Sequence, residues 1–333
     1  MASPTQMQCY LVNRGADGAI EAGVARMPLD QLPAGDVLIR VEFSSLNYKD
    51  ALAATGHPGV VKQFPHIPGV DAAGKVAESG DSRFRKGDKV LVTGYGLGAD
   101  RWGGFADYIR VPADWVVPLP AHLDLRDSMV YGTAGFTAAQ SLDAIIRHPV
   151  NPDDGPVVVT GASGGVGCLA VGLLSRAGYE VVASTGKKDA HGMLKGLGAE
   201  KVVGRDDVID DTDKPLSKAR WAAAVDTVGG NTLASIIRAT SRGGCVTACG
   251  LVGGVELPLT VYPFILRGVT LVGIDSAECP QETRRRLWQE LARDWRPKEL
   301  YRVGRTVELD GLPKRIDEIL AGRAIGRTVV ELL

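Results

Sequence analysis

The chain has 333 residues, of which 45% are hydrophobic and 23% are charged. This length suits two domains better than one, and the composition is that of an ordinary globular protein. The formal net charge of −1, with no basic stripe interleaved with aromatic residues, argues against a nucleic acid or an anionic membrane as partner.

The N-terminus and the cysteines carry information about location. The first residues lack the basic segment and apolar core of a signal peptide. The least polar long stretch, 157–174, is interrupted by five glycines, so it does not predict a membrane span. The five cysteines are scattered and form no Cys-x-x-Cys pair. We therefore expect free thiols in a reducing cytoplasm and no metal site.

The first part of the chain, residues 7–125, is rich in strand and turn signals. A short helix is predicted to begin near Asn47, and a longer one over 129–146. The predicted strands of this part are 7–12, 36–43, 73–79, 89–92, 105–111 and 115–118.

Beyond residue 146, strands alternate with helices, which predicts a parallel, doubly wound sheet. The predicted strands are 156–160, 180–184, 200–203, 222–226, 244–250 and 269–273, and the predicted helices are 165–177, 189–197 and 230–240. The final segment, 281–333, is expected to form a helix, a strand near 305–309, a helix near 311–321 and a strand near 327–332. The simplest organisation is a domain of residues 128–277 inserted into a β-rich domain of residues 1–127 and 278–333.

Residues 157–167 (VVVTGASGGVG) join a buried strand to a helix through a glycine-dense turn. Such a turn presents free backbone N–H groups and the positive end of a helix dipole at one place, which suits a pyrophosphate. Glycines at 161, 164 and 167 allow a sharp turn and close approach of the phosphates. The alternative is a glycine-rich loop of an ordinary α/β protein, but the strand-turn-helix context favours a dinucleotide site.

The end of the second strand of that domain indicates which dinucleotide binds. Domains that bind NAD usually place a carboxylate there, about 20 residues after the first glycine. Residues 181–188 (VVASTGKK) contain hydroxyls and two lysines but no carboxylate, and Arg205 follows the third strand. Cations and hydroxyls can hold a 2′-phosphate. The sequence therefore predicts NADPH, although Lys187 and Lys188 could also simply face solvent.

The order of these parts resembles the medium-chain dehydrogenase/reductase superfamily over nearly the whole chain. Supporting segments are 87–90 (GDKV), 102–106 (WGGFA) and 132–138 (GTAGFTA). Zinc-dependent members have Gly-His-Glu where this chain has 69–71 (GVD), a cysteine near 47–48 and a four-cysteine lobe. These ligands are absent here, and a catalytic zinc needs three of them. The chain thus resembles the zinc-free, quinone-oxidoreductase-like branch.

Within that branch the chain is similar to the acryloyl-CoA reductase subgroup, on the segments 44–50 (SSLNYKD), 67–71 (IPGVD), 160–167 (TGASGGVG), 263–267 (PFILR) and 273–276 (GIDS). The resemblance implies an α/β fold with a GroES-like catalytic domain and an inserted Rossmann domain. It also implies NADPH-dependent reduction of acryloyl-CoA to propanoyl-CoA in a cytoplasmic homodimer, whose interface we expect near residues 269–273.

The same resemblance implies the cofactor contacts. Residues expected at the pyrophosphate are Ser163, Gly164, Gly165 and Val166, and those expected at the 2′-phosphate are Thr185, Gly186, Lys187 and Arg205. Leu251, Ile265 and Ser276 would flank the nicotinamide half, Arg327 would close from the C-terminus, and Tyr48 would also contact the cofactor. Leu251 could instead be an ordinary core residue.

Conjugate reduction needs a donor for the thioester oxygen and a proton for the α-carbon. Tyr48 is the leading catalytic candidate, because a tyrosine hydroxyl stays protonated at neutral pH and can donate. Asn47 could donate to the substrate carbonyl or simply begin a helix. Asp71 is expected to be a structural hydrogen-bonding residue.

Residues 284–296 (RRRLWQELARDWR) form one apolar helical stripe with several arginines. The simpler interpretation is a surface helix that packs leucine and tryptophan inward. The alternative is that some of these arginines, or Arg267, attract the phosphates of coenzyme A. The sequence also leaves open two other functions, NADPH:quinone reduction and a non-catalytic NADPH-binding sensor. It does not indicate the acyl-chain limit, the proton donor or the pathway.

Overall fold

The computed structural model describes residues 5–212 and 214–332. Within those ranges no helix combines the length and apolar character that crossing a membrane requires. The chain divides into two compact units. Unit 1 comprises the described residues of 1–133, 277–289 and 304–333, and unit 2 those of 134–276 and 290–303.

The strands are, in chain order, β1 (Gln6–Arg14), β2 (Ile20–Pro28), β3 (Val37–Leu46), β4 (Asp71–Ser79), β5 (Lys89–Thr93), β6 (Tyr108–Val111), β7 (Val117–Pro118), β8 (Val157–Val159), β9 (Val181–Ser184), β10 (Lys201–Val203), β11 (Trp221–Asp226), β12 (Thr240–Ala248), β13 (Thr270–Gly273), β14 (Gly304–Val307) and β15 (Arg327–Glu331). The α-helices are α1 (Tyr48–Ala54), α2 (Leu125–Arg147), α3 (Gly165–Arg176), α4 (His191–Gly196), α5 (Gly230–Arg238), α6 (Tyr262–Arg267), α7 (Gln281–Ala292) and α8 (Leu312–Leu320).

Unit 1 is built on β-sheets. β1 and β2 form an antiparallel pair, and a second sheet has the order β14-β15-β3-β4-β5-β7, with β6 also paired to β3. Side chains of β3 such as Val37, Ile39 and Val41 are buried in a core that also contains Phe105 and Ile109. The C-terminal strand β15 pairs with β3 in antiparallel register. This pairing brings Arg327, at the start of β15, to the end of β3 and the beginning of α1.

Unit 2 is built on a six-stranded sheet of order β10-β9-β8-β11-β12-β13, in which the paired strands are parallel. Counted within the unit, this is the order 3-2-1-4-5-6 of a Rossmann domain. All three residues of β8 and all six of β11 are buried, as expected for strands covered on both faces. The predicted doubly wound parallel sheet is confirmed.

Most predicted elements are present, with shifted ends. α2 begins at Leu125 and is interrupted at Gly132, whose φ of +50° is not helical. Two elements have no counterpart in the prediction, β2 and the six-residue α6. Residues 290–303, which the sequence assigned to the β-rich domain, belong to unit 2. The reason is that this segment packs closely on α3. A Cβ on Gly172 of α3 would lie 2.9 Å from Cγ of Pro297.

Candidate active site

The glycine-rich turn of unit 2 is shaped by the lack of side chains. Gly161 has φ +56°, and a Cβ at this position would overlap Thr227 Oγ1. A Cβ at Gly167 would overlap the carbonyl oxygen of Gly161, so the first turn of α3 packs directly on the loop. Gly164 is the N-cap of α3, and Gly165 and Val166 are its first residues. The N–H groups of a first helical turn have no acceptor within the helix, so this turn is suited to an anion, and the pyrophosphate contacts stay a prediction.

A buried carboxylate connects this turn to the next strand. Asp226, at the end of β11, accepts hydrogen bonds from Thr160 Oγ1 at 2.6 Å and from the Gly229 N–H at 2.7 Å. Thr227 Oγ1 donates to the carbonyl of Thr160 at 3.0 Å. Burial raises the pKa of Asp226. Sequence analysis missed this residue, although its place at the end of the strand beside β8 was an available signal.

The residues expected at the 2′-phosphate converge at the ends of β9 and β10. Thr185 Oγ1 donates to Ser163 Oγ at 2.8 Å and accepts from the Lys187 N–H at 3.2 Å. Burial lowers the pKa of Lys187, and the neighbouring charge of Arg205 lowers it further. A Cβ on Gly186 would lie 2.8 Å from Arg205 Nε. Two cations thus lie close together around a glycine, an arrangement that a bound phosphate stabilises.

The other cofactor residues predicted in unit 2 have different positions. Leu251, just beyond β12, is 63% exposed, so its alternative assignment as a core residue is wrong. Ser276, just beyond β13, accepts a hydrogen bond from Thr137 Oγ1 at 2.9 Å. Both lie beyond the carboxyl ends of strands, where ligands bind in this type of sheet. Ile265 is 68% exposed on α6 rather than at a strand end.

Unit 1 contains a second concentration of polar groups, which we call the polar cluster. Its members are Ser45, Asn47, Asp50, Asp71, Thr133 and Arg327. Asp50 and Asp71 are both fully buried, and Arg327 is 4% exposed. The Arg327 Nη2 atom lies 4.0 Å from Asp71 Oδ2. The cluster is therefore a buried ion pair with a second carboxyl group beside it.

Asn47 lies in the middle of the polar cluster and caps α1. Its Nδ2 donates to Asp71 Oδ2 at 2.8 Å and to Asp50 Oδ2 at 3.1 Å, and its Oδ1 accepts from Arg327 Nη1 at 3.1 Å. Its backbone N–H donates to Asp50 Oδ2 at 2.8 Å. Of the two roles left open by the sequence, this geometry favours the start of the helix over donation to a substrate. Tyr48, the first residue of α1, is 47% exposed.

Arg327 was predicted to contact the cofactor, and the structure places its guanidinium within the polar cluster. Nε donates to the Val130 carbonyl at 3.0 Å, Nη1 to the Leu46 carbonyl at 3.2 Å and Nη2 to Ser45 Oγ at 2.8 Å. These bonds hold together the end of β3, the part of α2 that precedes its break, and the start of β15. The contact with the cofactor stays a prediction, and the observed role is structural.

The two carboxyl groups of the polar cluster differ in their surroundings. Asp71 accepts from Ser45 Oγ at 2.5 Å and from Thr133 Oγ1 at 2.6 Å, and Arg327 is its counterion. Asp50 accepts from the N–H groups of Gly69 and Val70. Burial, together with the charge of Asp71, raises the pKa of Asp50 to about 7. The predicted structural role of Asp71 agrees with these contacts.

The break in α2 completes the polar cluster. A Cβ on Gly132 would overlap both Asp71 Oδ2 and Ser45 Oγ, and the positive φ of this residue disfavours any other amino acid. The turn directs the Thr133 N–H at both carboxylate oxygens of Asp71, at 3.0 and 2.9 Å. Gly132 and Thr133 were part of a recognised motif, but their role at this carboxylate is visible only in three dimensions.

The arginines proposed for coenzyme A fall into two groups. Arg284 is fully buried and donates to Thr93, and Arg267 donates to the carbonyls of Arg238, Thr240 and Ser217. For the fully buried Arg284 the coenzyme A hypothesis is wrong, whereas for the half-buried Arg267 it stays a prediction. Arg285 and Arg286 are exposed on α7, which packs Leu287 and Trp288 inward, as the simpler interpretation predicts.

The described ranges, 5–212 and 214–332, contain no group of three or more His, Cys, Asp or Glu side chains arranged to hold a metal ion. All five cysteines are free. The polar cluster has only two acidic side chains, and their oxygens already accept hydrogen bonds from within unit 1.

Two family models match this chain. The alcohol dehydrogenase GroES-like domain matches residues 33–121, and the zinc-binding dehydrogenase model matches residues 165–293. Together with the full-length relatives described next, they show that the chain belongs to the medium-chain dehydrogenase/reductase superfamily, in the quinone-oxidoreductase-like branch that contains the acryloyl-CoA reductases. The fold is accordingly a GroES-like domain with an inserted Rossmann domain.

Three relatives share nearly the whole chain. Acrylyl-CoA reductase AcuI of Ruegeria pomeroyi is 44% identical over 95% of this chain and 96% of its own. YhfP of Bacillus subtilis, a relative named as a quinone oxidoreductase, is 47% identical over 98% of this chain and 99% of its own. The crystal structure of YhfP with bound NAD superposes on this chain with a TM-score of 0.95. The crystal structure of Escherichia coli YHDH with bound NADPH covers 98% of this chain and 100% of that one, with 46% identity and a TM-score of 0.94.

Proposed function

We propose that this protein reduces the carbon–carbon double bond of acryloyl-CoA to give propanoyl-CoA, with NADPH as the hydride donor. The observation that carries the proposal is the similarity to AcuI over nearly the full length of both chains. The choice of NADPH agrees with the hydroxyl of Thr185 and the cation of Lys187, which follow β9. Unit 1 is the catalytic domain and unit 2 the cofactor domain. We propose the bounds of the two compact units for these domains; they differ from the predicted bounds at residues 128–133, 277 and 290–303.

Unit 2 fits NADPH in two respects. The close packing at Gly161 and Gly167, where a side chain would overlap protein atoms, sets the shape of the turn, and the pyrophosphate would lie at the start of α3. Thr185, Lys187 and Arg205 would hold the 2′-phosphate, and the absence of a carboxylate at the end of β9 removes the group that would repel it. When bound there, NADPH supplies the hydride.

The chemistry assigns distinct tasks to residues of unit 1. Hydride addition to the β-carbon pushes electrons onto the thioester oxygen, and a proton must then reach the α-carbon. We assign the half-exposed Tyr48 hydroxyl to donate toward the substrate, and Asn47 to fix the start of α1 rather than to touch the substrate. Arg327 and Asp71 are positioning residues, because they hold Asn47 through its amide.

The polar cluster also supports catalysis without zinc. The thioester already makes the double bond electrophilic, so no Lewis acid is needed for the reaction. Where zinc-dependent relatives supply metal ligands, this chain has Asn47 and Asp71, which hydrogen-bond each other. We expect activity to survive exhaustive treatment with a zinc chelator, measured against a chelator-treated zinc alcohol dehydrogenase as the positive control.

We further propose a cytoplasmic homodimer. β13 is an edge strand of the unit 2 sheet, and the neighbouring segment exposes Leu251, Val255, Val261 and Ile265. An open strand edge beside exposed apolar side chains is suited to isologous pairing with a second copy. Light scattering should give twice the 35.2 kDa chain mass. In a Val261→Lys variant the measured mass should shift toward that of the monomer. Val24→Lys makes the same substitution at an exposed position of β2 and should leave the mass unchanged.

The proposed activity is tested by steady-state turnover of acryloyl-CoA, crotonyl-CoA and a benzoquinone with NADPH, and of acryloyl-CoA with NADH. We expect the highest kcat/KM for acryloyl-CoA with NADPH. Efficient turnover of the quinone alone would establish the alternative, NADPH:quinone reduction. Tight NADPH binding without any turnover would instead identify a non-catalytic NADPH-binding sensor.

A further inference from the structure

Unit 1 contains a cavity of about 680 Å³ that neither the polar cluster nor the sequence motifs account for. Its walls include two tryptophans, Trp102 and Trp115, and two cations, Lys62 and Arg101. A volume of this order accommodates a ligand of nucleotide size. The mixture of flat aromatic and cationic groups indicates a ligand that is itself aromatic and anionic.

Arg101 has unused hydrogen-bonding capacity in this cavity. Its Nη2 donates to the Ala34 carbonyl, and its guanidinium lies 5.6 Å from the centroid of the Trp115 ring. Its Nε is buried and has no acceptor among the described residues. Burial also lowers the pKa of the guanidinium, because the charged form loses contact with water. An anionic ligand would replace that lost stabilisation. A buried N–H without an acceptor is costly, and an anionic ligand would remove that cost.

The aromatic walls are held rigidly. Trp115 stacks on Tyr95, with ring centroids 5.2 Å apart and an interplanar angle of 7°. Trp102 is fixed by a hydrogen bond of 3.0 Å from its Nε1 to the Pro65 carbonyl. Rigid aromatic side chains of this kind supply stacking surfaces for a purine at little entropic cost.

Acidic groups in the cavity walls do not cancel these features. Asp100 Oδ1 lies 3.7 Å from Lys62 Nζ, so the charges of these two side chains offset each other. The exposed Glu278 carboxylate can accept a hydrogen bond from an exocyclic amino group. His66 is buried beside the Gly98 carbonyl, and burial lowers its pKa, so it adds no charge. Arg101 is therefore the cation of the cavity wall that we expect to bind an anionic ligand.

The cavity is connected to the polar cluster through a short stretch of chain. Pro65 and His66 belong to the cavity wall, while the Gly69 and Val70 N–H groups donate to Asp50. Asp71 follows directly. The seven residues from 65 to 71 are joined by six peptide links, so their ends are at most about 20 Å apart when the chain is extended. Asp71 accepts a hydrogen bond from Asn47, the neighbour of Tyr48, so the cavity and the exposed Tyr48 can receive the two ends of one elongated molecule.

We propose that this cavity binds the adenosine 3′-phosphate end of the acyl-CoA substrate, with the purine against Trp102 and the phosphate on Arg101. This inference rests on the proposed function, because it assigns a second contact region to the same substrate. It replaces the arginines of α7 and Arg267 as the source of affinity for coenzyme A.

The test compares acryloyl-CoA with acryloyl-pantetheine, which has the same reacting group but no nucleotide. Three proteins are used: wild type, Arg101→Gln, and Arg285→Gln as a control at an exposed arginine of α7. We expect Arg101→Gln to raise KM for acryloyl-CoA about tenfold and to leave KM for acryloyl-pantetheine and NADPH unchanged. Arg285→Gln should behave as wild type with all three.

Calorimetry with adenosine 3′,5′-bisphosphate, in the presence of saturating NADP⁺ to block the cofactor site, provides a second measurement. Wild type should bind it, and Arg101→Gln should bind it at least tenfold more weakly. Equal KM values for the two thioesters in wild type, or no binding of the bisphosphate, would overturn the inference and leave the reductase activity standing. If neither thioester is reduced, the proposed function fails, and the calorimetry alone decides whether the cavity is a nucleotide site.

Discussion

Tyr48 is the residue on which the proposed chemistry depends most. It is the first residue of α1, half-exposed, and its backbone is fixed by the cap at Asn47. Tyr48→Phe removes only the hydroxyl, so we expect kcat with acryloyl-CoA to fall about 100-fold, while KM for NADPH changes little. Tyr301→Phe, at an exposed tyrosine, is the control. Unchanged kcat in Tyr48→Phe would transfer the donor role to another group or to solvent.

Lys187 decides how strongly the protein prefers NADPH over NADH. The charge of Arg205 lowers the pKa of Lys187, and a 2′-phosphate between the two cations would interact with both. We expect Lys187→Met to raise KM for NADPH about tenfold and to leave KM for NADH unchanged. Lys188→Met, at the exposed neighbour, should alter neither value. An equal rise for both cofactors would show that Lys187 acts through folding rather than through the 2′-phosphate.

The residues of the site differ in how far the sequence predicts them. The loop from Ser163 to Val166 and the cations near Thr185 were predicted because each lies in a local strand-turn-helix pattern. The polar cluster was only partly predicted, since its bonds join distant parts of the chain. Arg327 and Asn47, for example, are 280 positions apart. Spacing carries no signal for such a pair, and only the β15–β3 pairing brings it together.

At the scale of elements, the break in α2 is a structural requirement of the polar cluster. Gly132→Ala would place a methyl group against Asp71 and Ser45 at a positive φ. We expect a loss of roughly 3 kcal/mol in the free energy of unfolding, measured with urea. Gly322→Ala is the matched control, because its φ is +66° but its surroundings are open. It should lose only about 1 kcal/mol, and equal losses would show that backbone strain alone accounts for both.

The two elements that the sequence does not predict, β2 and α6, lack the residue pattern by which such elements are recognised. β2 pairs only with β1 and is exposed or half-exposed along its length, so it lacks the alternation of apolar residues that marks a half-buried strand. α6 has six residues and a proline in its first turn, which is too short for a helical period to be recognised. The strands of unit 2 were predicted well because burial on both faces leaves continuous apolar runs such as Val157–Val159.

At the scale of the whole molecule, the polar cluster makes stability depend on pH. Burial and the charge of Asp71 raise the pKa of Asp50 to about 7 in the native state, whereas an aspartate in an unfolded chain has a pKa near 3.8. The native state therefore binds more protons between these values, and its stability falls as pH rises toward 7. Each pH unit in this window is worth at most about 1.4 kcal/mol.

This dependence can be isolated with Asp50→Asn. The difference in unfolding free energy between wild type and Asp50→Asn should decrease by up to roughly 3 kcal/mol from pH 5 to pH 7 and then level off. Asp30→Asn, at an exposed acid of unit 1, should show no such trend. A constant difference across this range would mean that the hydrogen bonds from Gly69, Val70 and Asn47 keep Asp50 ionised in the native state.

The central claim is that this protein transfers a hydride from NADPH to the β-carbon of acryloyl-CoA. The most direct measurement uses NADPH in which both hydrogens on the hydride-donating carbon are replaced by deuterium, and it locates the label in the product by mass spectrometry and NMR. We predict propanoyl-CoA with one deuterium at the β-carbon and a solvent-derived hydrogen at the α-carbon. Unlabelled propanoyl-CoA, deuterium at the α-carbon, or no propanoyl-CoA at all would contradict the account.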